Sequence, residues 1–234
     1  MKKNLVLILA GGSGSRIAGN VPKQFLPVAG KTVLEHTIET FEAHPGVQDI
    51  FIVTHQEYHQ RTEEIVCNGG FRKISKVLNG GAVRQESSYI GVMAANPEEY
   101  EFVLIHDAAR PFVTAEIISA IFEKLLSFAA VNVGVPSPDT IIEIDVNNVV
   151  KHVPERKFLR RVQTPQGFKL DVIRLAHQLA VEHHVTNATD DCSLILQFGL
   201  GPVYVVAGNP MNIKITYPMD LQVAEEFIRL GKKI

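Results

Sequence analysis

The chain has 234 residues, 46% hydrophobic and 21% charged, a globular composition that excludes a disordered or fibrous protein. Lys and Arg number 23 against 25 Asp and Glu, so the net charge of −2 gives no basic excess to hold a nucleic-acid backbone. Two cysteines, Cys67 and Cys192, lie far apart without a CxxC, which argues against a disulfide framework or structural zinc and fits a reducing cytoplasm.

Lys2 and Lys3 precede the apolar run LVLILA (5–10). The run is shorter than the ~7–15 residues of a signal-peptide core, and charge returns at Arg16. It reads as a strand buried on both faces of a parallel sheet. No stretch reaches the ~20 apolar residues of a membrane span. Residues 32–43 carry Val33, Leu34, Ile38 and Phe41 at helical spacing. DIFIVTH (49–55) reads as a second strand, 56–68 as a helix ending near Gly69-Gly70, and KISKVLN (73–79) as a third strand. A helix over 84–95 and a strand over 101–107 follow. Ala115 to Phe128 is helical, with Ile117, Ile118, Ile121 and Leu125 on one stripe, and AVNVGVP (130–136) is a strand. This alternation predicts an α/β fold with an open, mostly parallel sheet and helices on both faces.

The segment 139–153 breaks the rhythm. It is β-branched and alternating, with Asn147-Asn148 at its middle, which predicts a hairpin. A hairpin inserted in a parallel sheet packs elsewhere, so residues 139–160 read as a projecting arm. Residues 168–183 read as a helix, and 192–197 as another, capped by Asp190 or Asp191. YVVAG (204–208) and NIKIT (212–216) read as short strands, and Met219 to Leu230 as the last helix. No repeat, low-complexity tract or linker divides residues 1–234, so one domain with an arm is the economical reading.

Chemistry begins where the first strand ends, at Ala10-Gly11-Gly12-Ser13-Gly14-Ser15-Arg16. Glycines after a parallel strand expose backbone N–H groups, an anion cradle at the sheet edge where such folds bind ligands. A P-loop requires a Lys-Ser/Thr that is missing here, and Ile17 stands where the dinucleotide fingerprint has its third glycine. Arg16 and Lys23 flank the loop, and two cations on one glycine loop suit a triphosphate.

LAGGSGSR and PKQF resemble the nucleotidyltransferases that activate sugar or polyol phosphates. GGAVRQES (80–87), HDAARPF (106–112), DT (139–140), PER (154–156), QTPQGF (163–168), TDDCS (189–193) and NIKIT (212–216) follow in order. Together they resemble the 2-C-methyl-D-erythritol 4-phosphate cytidylyltransferase family over nearly the whole chain. The resemblance implies a Rossmann-like domain, a homodimer joined through the β-arm, and a reaction of CTP with a polyol phosphate to give a CDP-polyol and pyrophosphate. It implies catalytic roles for Arg16, Lys23 and Lys214 at the phosphates. Nucleotide binding falls to Ala10, Gly11, Gly12, Ser13, Gly14, Gly80, Gly81 and Ser87. Arg110, Thr140, Arg156 and Thr164 match acceptor-binding residues. Asp107, at a strand's C-terminal end, is placed for Mg²⁺, which takes oxygen ligands and substrate phosphates; without the resemblance a helix N-cap competes equally. Asn212 is a second metal-side residue on the resemblance alone. Arg84 contacts phosphate or caps its turn, and His106 reads as structural, since adjacent strand side chains point to opposite faces.

Two acceptors stay open. HDAARP and QTPQGF are typical of enzymes acting on 2-C-methyl-D-erythritol 4-phosphate in isoprenoid synthesis. Gly11, the PER segment, EID after DTI and Cys192 lean toward the branch that makes CDP-ribitol from ribitol 5-phosphate. Other expectations are a UTP- or GTP-dependent nucleotidyltransferase, opposed by the 80–87 segment, and a non-catalytic nucleotide-binding module, opposed by the spread of cations.

Overall fold

The structure is a computed structural model that describes residues 2–12 and 21–231. In chain order its strands and helices are β1 (Lys3–Ala10), β2 (Pro27–Val28), β3 (Lys31–Thr32), α1 (Val33–Ala43), β4 (Asp49–Thr54), α2 (His59–Gly69), β5 (Ile74–Asn79) and α3 (Arg84–Ala94). Next come β6 (Tyr100–Asp107), α4 (Ala115–Leu125), β7 (Ala130–Pro136), β8 (Glu143–Ile144), β9 (Val150–His152) and β10 (Arg160–Lys169). The chain finishes with α5 (Leu170–Glu182), α6 (Asp191–Gln197), β11 (Val203–Ala207) and α7 (Pro218–Arg229).

Seven strands form one sheet in the order β11-β7-β10-β6-β1-β4-β5. Every neighbouring pair is parallel except those made by β10, which runs antiparallel to both β6 and β7. The continuous apolar run of β1 is explained by its central place. Its alternate residues face two different cores, and Leu5 to Ile8 are wholly buried. Val6, Ile8 and Ala10 meet Leu34, Ile38 and Phe41 of α1, in the same core as the Ile117–Leu125 stripe of α4. Leu5, Leu7 and Leu9 face the opposite core with Val92 of α3, Ile173 and Ala176 of α5, and Leu194 of α6. At ~2–5 kcal/mol for truncating one such side chain to Ala, these two layers dominate the stability.

Local signals place the helix starts. Thr32 and Glu35 form a capping box on α1, Thr114 caps α4, and Asp190 caps α6 through its carboxylate and the Ser193 N–H. Two elements differ from the sequence reading. Residues 212–216 form no strand; the Ile215 N–H donates to the Ala109 carbonyl instead. β10, hidden in the QTPQGF motif, is a full central strand. Pro165 argues against a central strand because it has no N–H to donate. The ladder to β7 accommodates it by shifting register between Gln163 and Gly167. Gly167 is required there by α4: a Cβ would sit 2.2 Å from Ile121 Cγ2.

The hairpin is as expected in kind. β8 and β9 pair with each other alone, and the carboxylate of Asp145 accepts from the N–H groups of Asn147 and Val149 across the turn. Asn148 has φ +63°, a conformation asparagine tolerates. The arm ends where β10 begins at Arg160.

Candidate active site

The C-terminal ends of the parallel strands β1, β4 and β6 open on one side of the sheet, where ligands bind in open α/β folds. A cavity of about 400 Å³ lies there. Gly11 and Gly12 follow β1 into it, His55 follows β4, and Asp107 to Ala109 follow β6. Gly81 to Arg84 and Ser87, around the start of α3, form one wall. Lys23, Gln24, Lys214 and Thr216 complete it. A Cβ on Gly12 would meet nothing within 4 Å among the described residues. Ser13, Gly14 and Arg16 lie outside the described residues.

Lys23 opens a short 3-10 turn, Lys23–Phe25, after Pro22. The next residue, Gln24, is buried and its Nε2 donates to the carbonyls of Ala10 and Gly12, the latter at 3.1 Å. This amide pins the beginning of the glycine loop. It was legible only as part of PKQF, where the flanking cation drew the attention.

The turn before α3 is equally braced. Ser87 Oγ accepts from Gly81 N–H at 3.2 Å and donates to the Val83 carbonyl. Gly80 donates its N–H to Thr54 O, and a Cβ on it would lie 2.8 Å from Ser87 Oγ. Only glycine lets the chain pass so close to the hydroxyl. Ala10, buried at the end of β1, and Gly80 thus sit just behind the cavity wall.

Charge concentrates at Asp107. Lys214 Nζ donates to its Oδ2 at 2.7 Å and Arg84 Nε to its Oδ1 at 3.1 Å. Burial alone would raise the Asp107 carboxyl, but Arg84 and Lys214 outweigh it and hold it well below the usual carboxylate range. Arg84 reaches on with Nη1 to Asp191 Oδ2 at 2.8 Å. Asp191 also accepts from Ser88 Oγ and lies 3.3 Å from His177 Nε2, so it too is held low despite complete burial. Arg84 therefore ties two carboxylates together, and its Nη2 has no hydrogen-bond partner among the described residues. The sequence offers Asp191 only as an alternative cap; Asp190 takes that role, and nothing local marks the long-range pair of Asp191 with residue 84.

A second, buried group lies beside the cavity. Thr164 Oγ1 accepts the N–H of Asp107 at 3.1 Å and stands 3.1 Å from His106 Nδ1. His106 Nε2 lies 3.0 Å from the Arg110 carbonyl. Burial pushes the His106 pKa down to about 4, so its ring is neutral. Arg110 Nη1 donates to Asn212 O at 2.8 Å, its Nε is buried without a partner among the described residues, and burial presses its pKa down. Asn212 is fully buried; Nδ2 donates to Thr164 O at 2.9 Å, and Oδ1 has no partner among the described residues. Thr140 and Arg156 meet each other on the arm, Arg156 Nη2 donating to Thr140 Oγ1 at 2.6 Å, but neither lines the cavity.

Among the described residues, no group of three or more His, Cys, Asp or Glu could hold a metal. No helix there is long and apolar enough to cross a membrane.

The family model for 2-C-methyl-D-erythritol 4-phosphate cytidylyltransferase matches residues 4–230. A Thermobifida fusca protein of that name is 40% identical over 230 residues, spanning 96% of this chain and 92% of its own. A Haemophilus influenzae bifunctional ribulose 5-phosphate reductase/CDP-ribitol pyrophosphorylase is 38% identical over 97% of this chain and 48% of its own, so the match takes about half of that protein. The crystal structure of 4-diphosphocytidyl-2C-methyl-D-erythritol synthase from Anaerococcus prevotii superposes with a TM-score of 0.87 at 28% identity, covering 97% of this chain and 96% of the other.

Proposed function

Because this chain belongs to the 2-C-methyl-D-erythritol 4-phosphate cytidylyltransferase family and is a CTP-dependent nucleotidyltransferase, we propose that its cavity holds CTP in line with the phosphate of ribitol 5-phosphate. The observation that carries the reading is the cavity itself: Lys23, Arg84 and Lys214 converge on a glycine-lined space at the strand ends. Three cations around one anion cradle suit a triphosphate.

An oxygen of the acceptor phosphate attacks the α-phosphorus of CTP. A new P–O bond forms, the bond from the α-phosphorus to the bridging α,β-oxygen breaks, and pyrophosphate leaves with that electron pair. The nucleophile is already an anion, so no proton has to be removed from it. Catalysis then consists of alignment and of neutralising charge that grows at the α-phosphorus and the leaving group. Lys23 and Lys214 supply that neutralisation, with Arg16 beside the glycine loop. Gly11 and Gly12, which line the cavity, offer backbone N–H groups to the triphosphate. Gly81 and Ser87, which line the cavity, lie against cytosine, and Gly80 behind them lets the chain pass close to the Ser87 hydroxyl.

Arg110 and Thr164 serve the acceptor's phosphate and hydroxyls. Thr140 and Arg156 reach the same acceptor from a second copy of the chain, carried by the arm. Support for that dimer is the arm's apolar surface: Ile141, Ile142, Ile144, Val146 and Phe158 are all exposed in the single chain, and Val146 is 99% so.

Mg²⁺ fits the oxygens available. The Asp107 carboxylate is ionised at the cavity, and one carboxylate plus substrate phosphates is an ordinary Mg²⁺ environment. The Oδ1 of Asn212, without a partner among the described residues and joined to Asp107 through Thr164, is the second candidate oxygen. When bound, the ion would neutralise phosphate charge and help orient the triphosphate.

A second reading of the acceptor, 2-C-methyl-D-erythritol 4-phosphate, is favoured by the name of the Thermobifida relative and of the family model. The test is pyrophosphate release with CTP and Mg²⁺ against both acceptors side by side, with UTP and GTP as controls. Faster turnover of ribitol 5-phosphate is expected. Preference for methylerythritol phosphate moves the chain to the second reading, and preference for another base refutes the cytosine assignment.

A further inference from the structure

His106 has no task in the mechanism above, yet both its ring nitrogens are engaged. Nε2 lies 3.0 Å from the Arg110 carbonyl oxygen and Nδ1 lies 3.1 Å from Thr164 Oγ1. A carbonyl can only accept, so Nε2 carries the ring proton and Nδ1 of the neutral imidazole is an acceptor. The Thr164 hydroxyl must then donate to Nδ1. Its oxygen accepts the Asp107 N–H. The hydrogen bonds run in one direction: Asp107 N–H to Thr164, Thr164 O–H to His106, His106 N–H to the Arg110 carbonyl. Phe41 meets the ring edge-on at 4.9 Å between centroids and closes off other orientations.

This chain joins three separate pieces of backbone chemistry. Asp107 ends β6, Arg110 closes the turn after it through an N–H bond to Asp107 O, and Thr164 belongs to antiparallel β10. Few side chains carry a donor and an acceptor on opposite edges of one rigid plane, and imidazole is the one that fits a closed apolar space.

We propose that His106 is the positioning residue of the acceptor subsite, setting the Arg110 turn and the Thr164 hydroxyl relative to Asp107. The proposal rests on the acceptor roles of Arg110 and Thr164 given above. It predicts a split in kinetics. Both ring nitrogens of His106 bond on the acceptor side, to Thr164 and the Arg110 carbonyl, whereas CTP is assigned to the glycine loop, Lys23, Lys214 and the 80–87 turn.

The test uses the full chain and measures pyrophosphate release while CTP and acceptor are varied separately. In His106→Phe, kcat/KM for the acceptor falls about 10–100-fold, the scale of misplacing reacting groups by an ångström or losing a supporting hydrogen bond, while KM for CTP stays within about twofold. His106→Asn keeps an acceptor toward Thr164, and His106→Gln keeps a donor toward the Arg110 carbonyl, so each recovers part of the loss. Acceptor kcat/KM within about twofold of the parent in His106→Phe overturns the proposal. So does a CTP KM that rises by the same factor. Should the Phe variant fail to fold, unimpaired acceptor use in both the Asn and Gln variants overturns it equally. Absence of turnover by the unaltered chain with either polyol phosphate is a different outcome: it removes the functional reading, and the positioning role with it.

Discussion

Arg84→Met removes the cation that joins Asp107 to Asp191 while keeping the aliphatic stem. Asp191 is the partner that matters, because its side chain is only 1% exposed whereas that of Asp107 is 12% exposed. Removing one member of a buried ion pair costs about 3–5 kcal/mol, since the other charge stays behind without its partner. For a domain of this size ~1 kcal/mol moves Tm by roughly 2–4 °C, so the variant should melt about 6–20 °C lower at pH 7. The pH dependence gives the sharper check. In the parent, Arg84 holds the Asp191 carboxyl below its unfolded value, so this pair stabilises above that value and the gain is lost in acid. In the variant, burial acts on Asp191 without its strongest opponent and moves the carboxyl upward. A raised carboxyl costs stability at neutral pH and recovers it as protons bind. The Tm difference between parent and variant should therefore shrink from pH 7 to pH 5. Scanning calorimetry at both pH values measures it. A difference under about 2 °C at pH 7, or one that widens in acid, refutes the claim that Arg84 compensates a buried carboxylate.

Lys23→Ala and Lys214→Ala should each lower kcat for pyrophosphate release by at least ~10²-fold, the scale of losing one transition-state donor; near-normal turnover would remove that residue from the chemistry. Gln24→Ala leaves the buried carbonyl of Ala10 without this donor, at a cost of about 1–3 kcal/mol, and releases the exposed Gly12 carbonyl to water. Its KM for CTP should rise with the loosened glycine loop, and a Tm and KM equal to the parent's would contradict that. Replacing Val146 and Phe158 with Lys should shift sedimentation toward the monomer and slow acceptor turnover, while an unchanged sedimentation profile would show that the arm's apolar surface does not join two copies.

The parallel strands and most helices were readable because each carries a one-dimensional signature. β1 and β6 contain uninterrupted apolar runs, LVLILA and FVLI, α4 shows its stripe at helical spacing, and the hairpin turn is marked by Asn147-Asn148. β10 was not, for a physical reason. Its apolar content is thin, its proline speaks against a ladder, and its pairing with β6 and β7 is long-range. NIKIT shows the converse, since its β-branched alternation makes no strand and the Ile215 N–H donates to the Ala109 carbonyl instead.

The chemistry divides along the same line. Gly11, Gly12, Lys23 and the 80–87 turn belong to short motifs, because a backbone cradle and its flanking cation need only local chain geometry. With HDAARPF, DT, PER, QTPQGF, TDDCS and NIKIT following in order, they carry the resemblance to the family. Arg84, Asp191, His106 and the carbonyl of Arg110 are different. Each draws its role from a partner many residues away or from the degree of its burial, as when Arg84 bonds Asp191 across 107 positions. Desolvation and charge compensation are properties of the packed interior. No pattern of neighbours in the chain carries them, so the sequence names the glycine loop, and packing determines which charged groups pair beside the cavity.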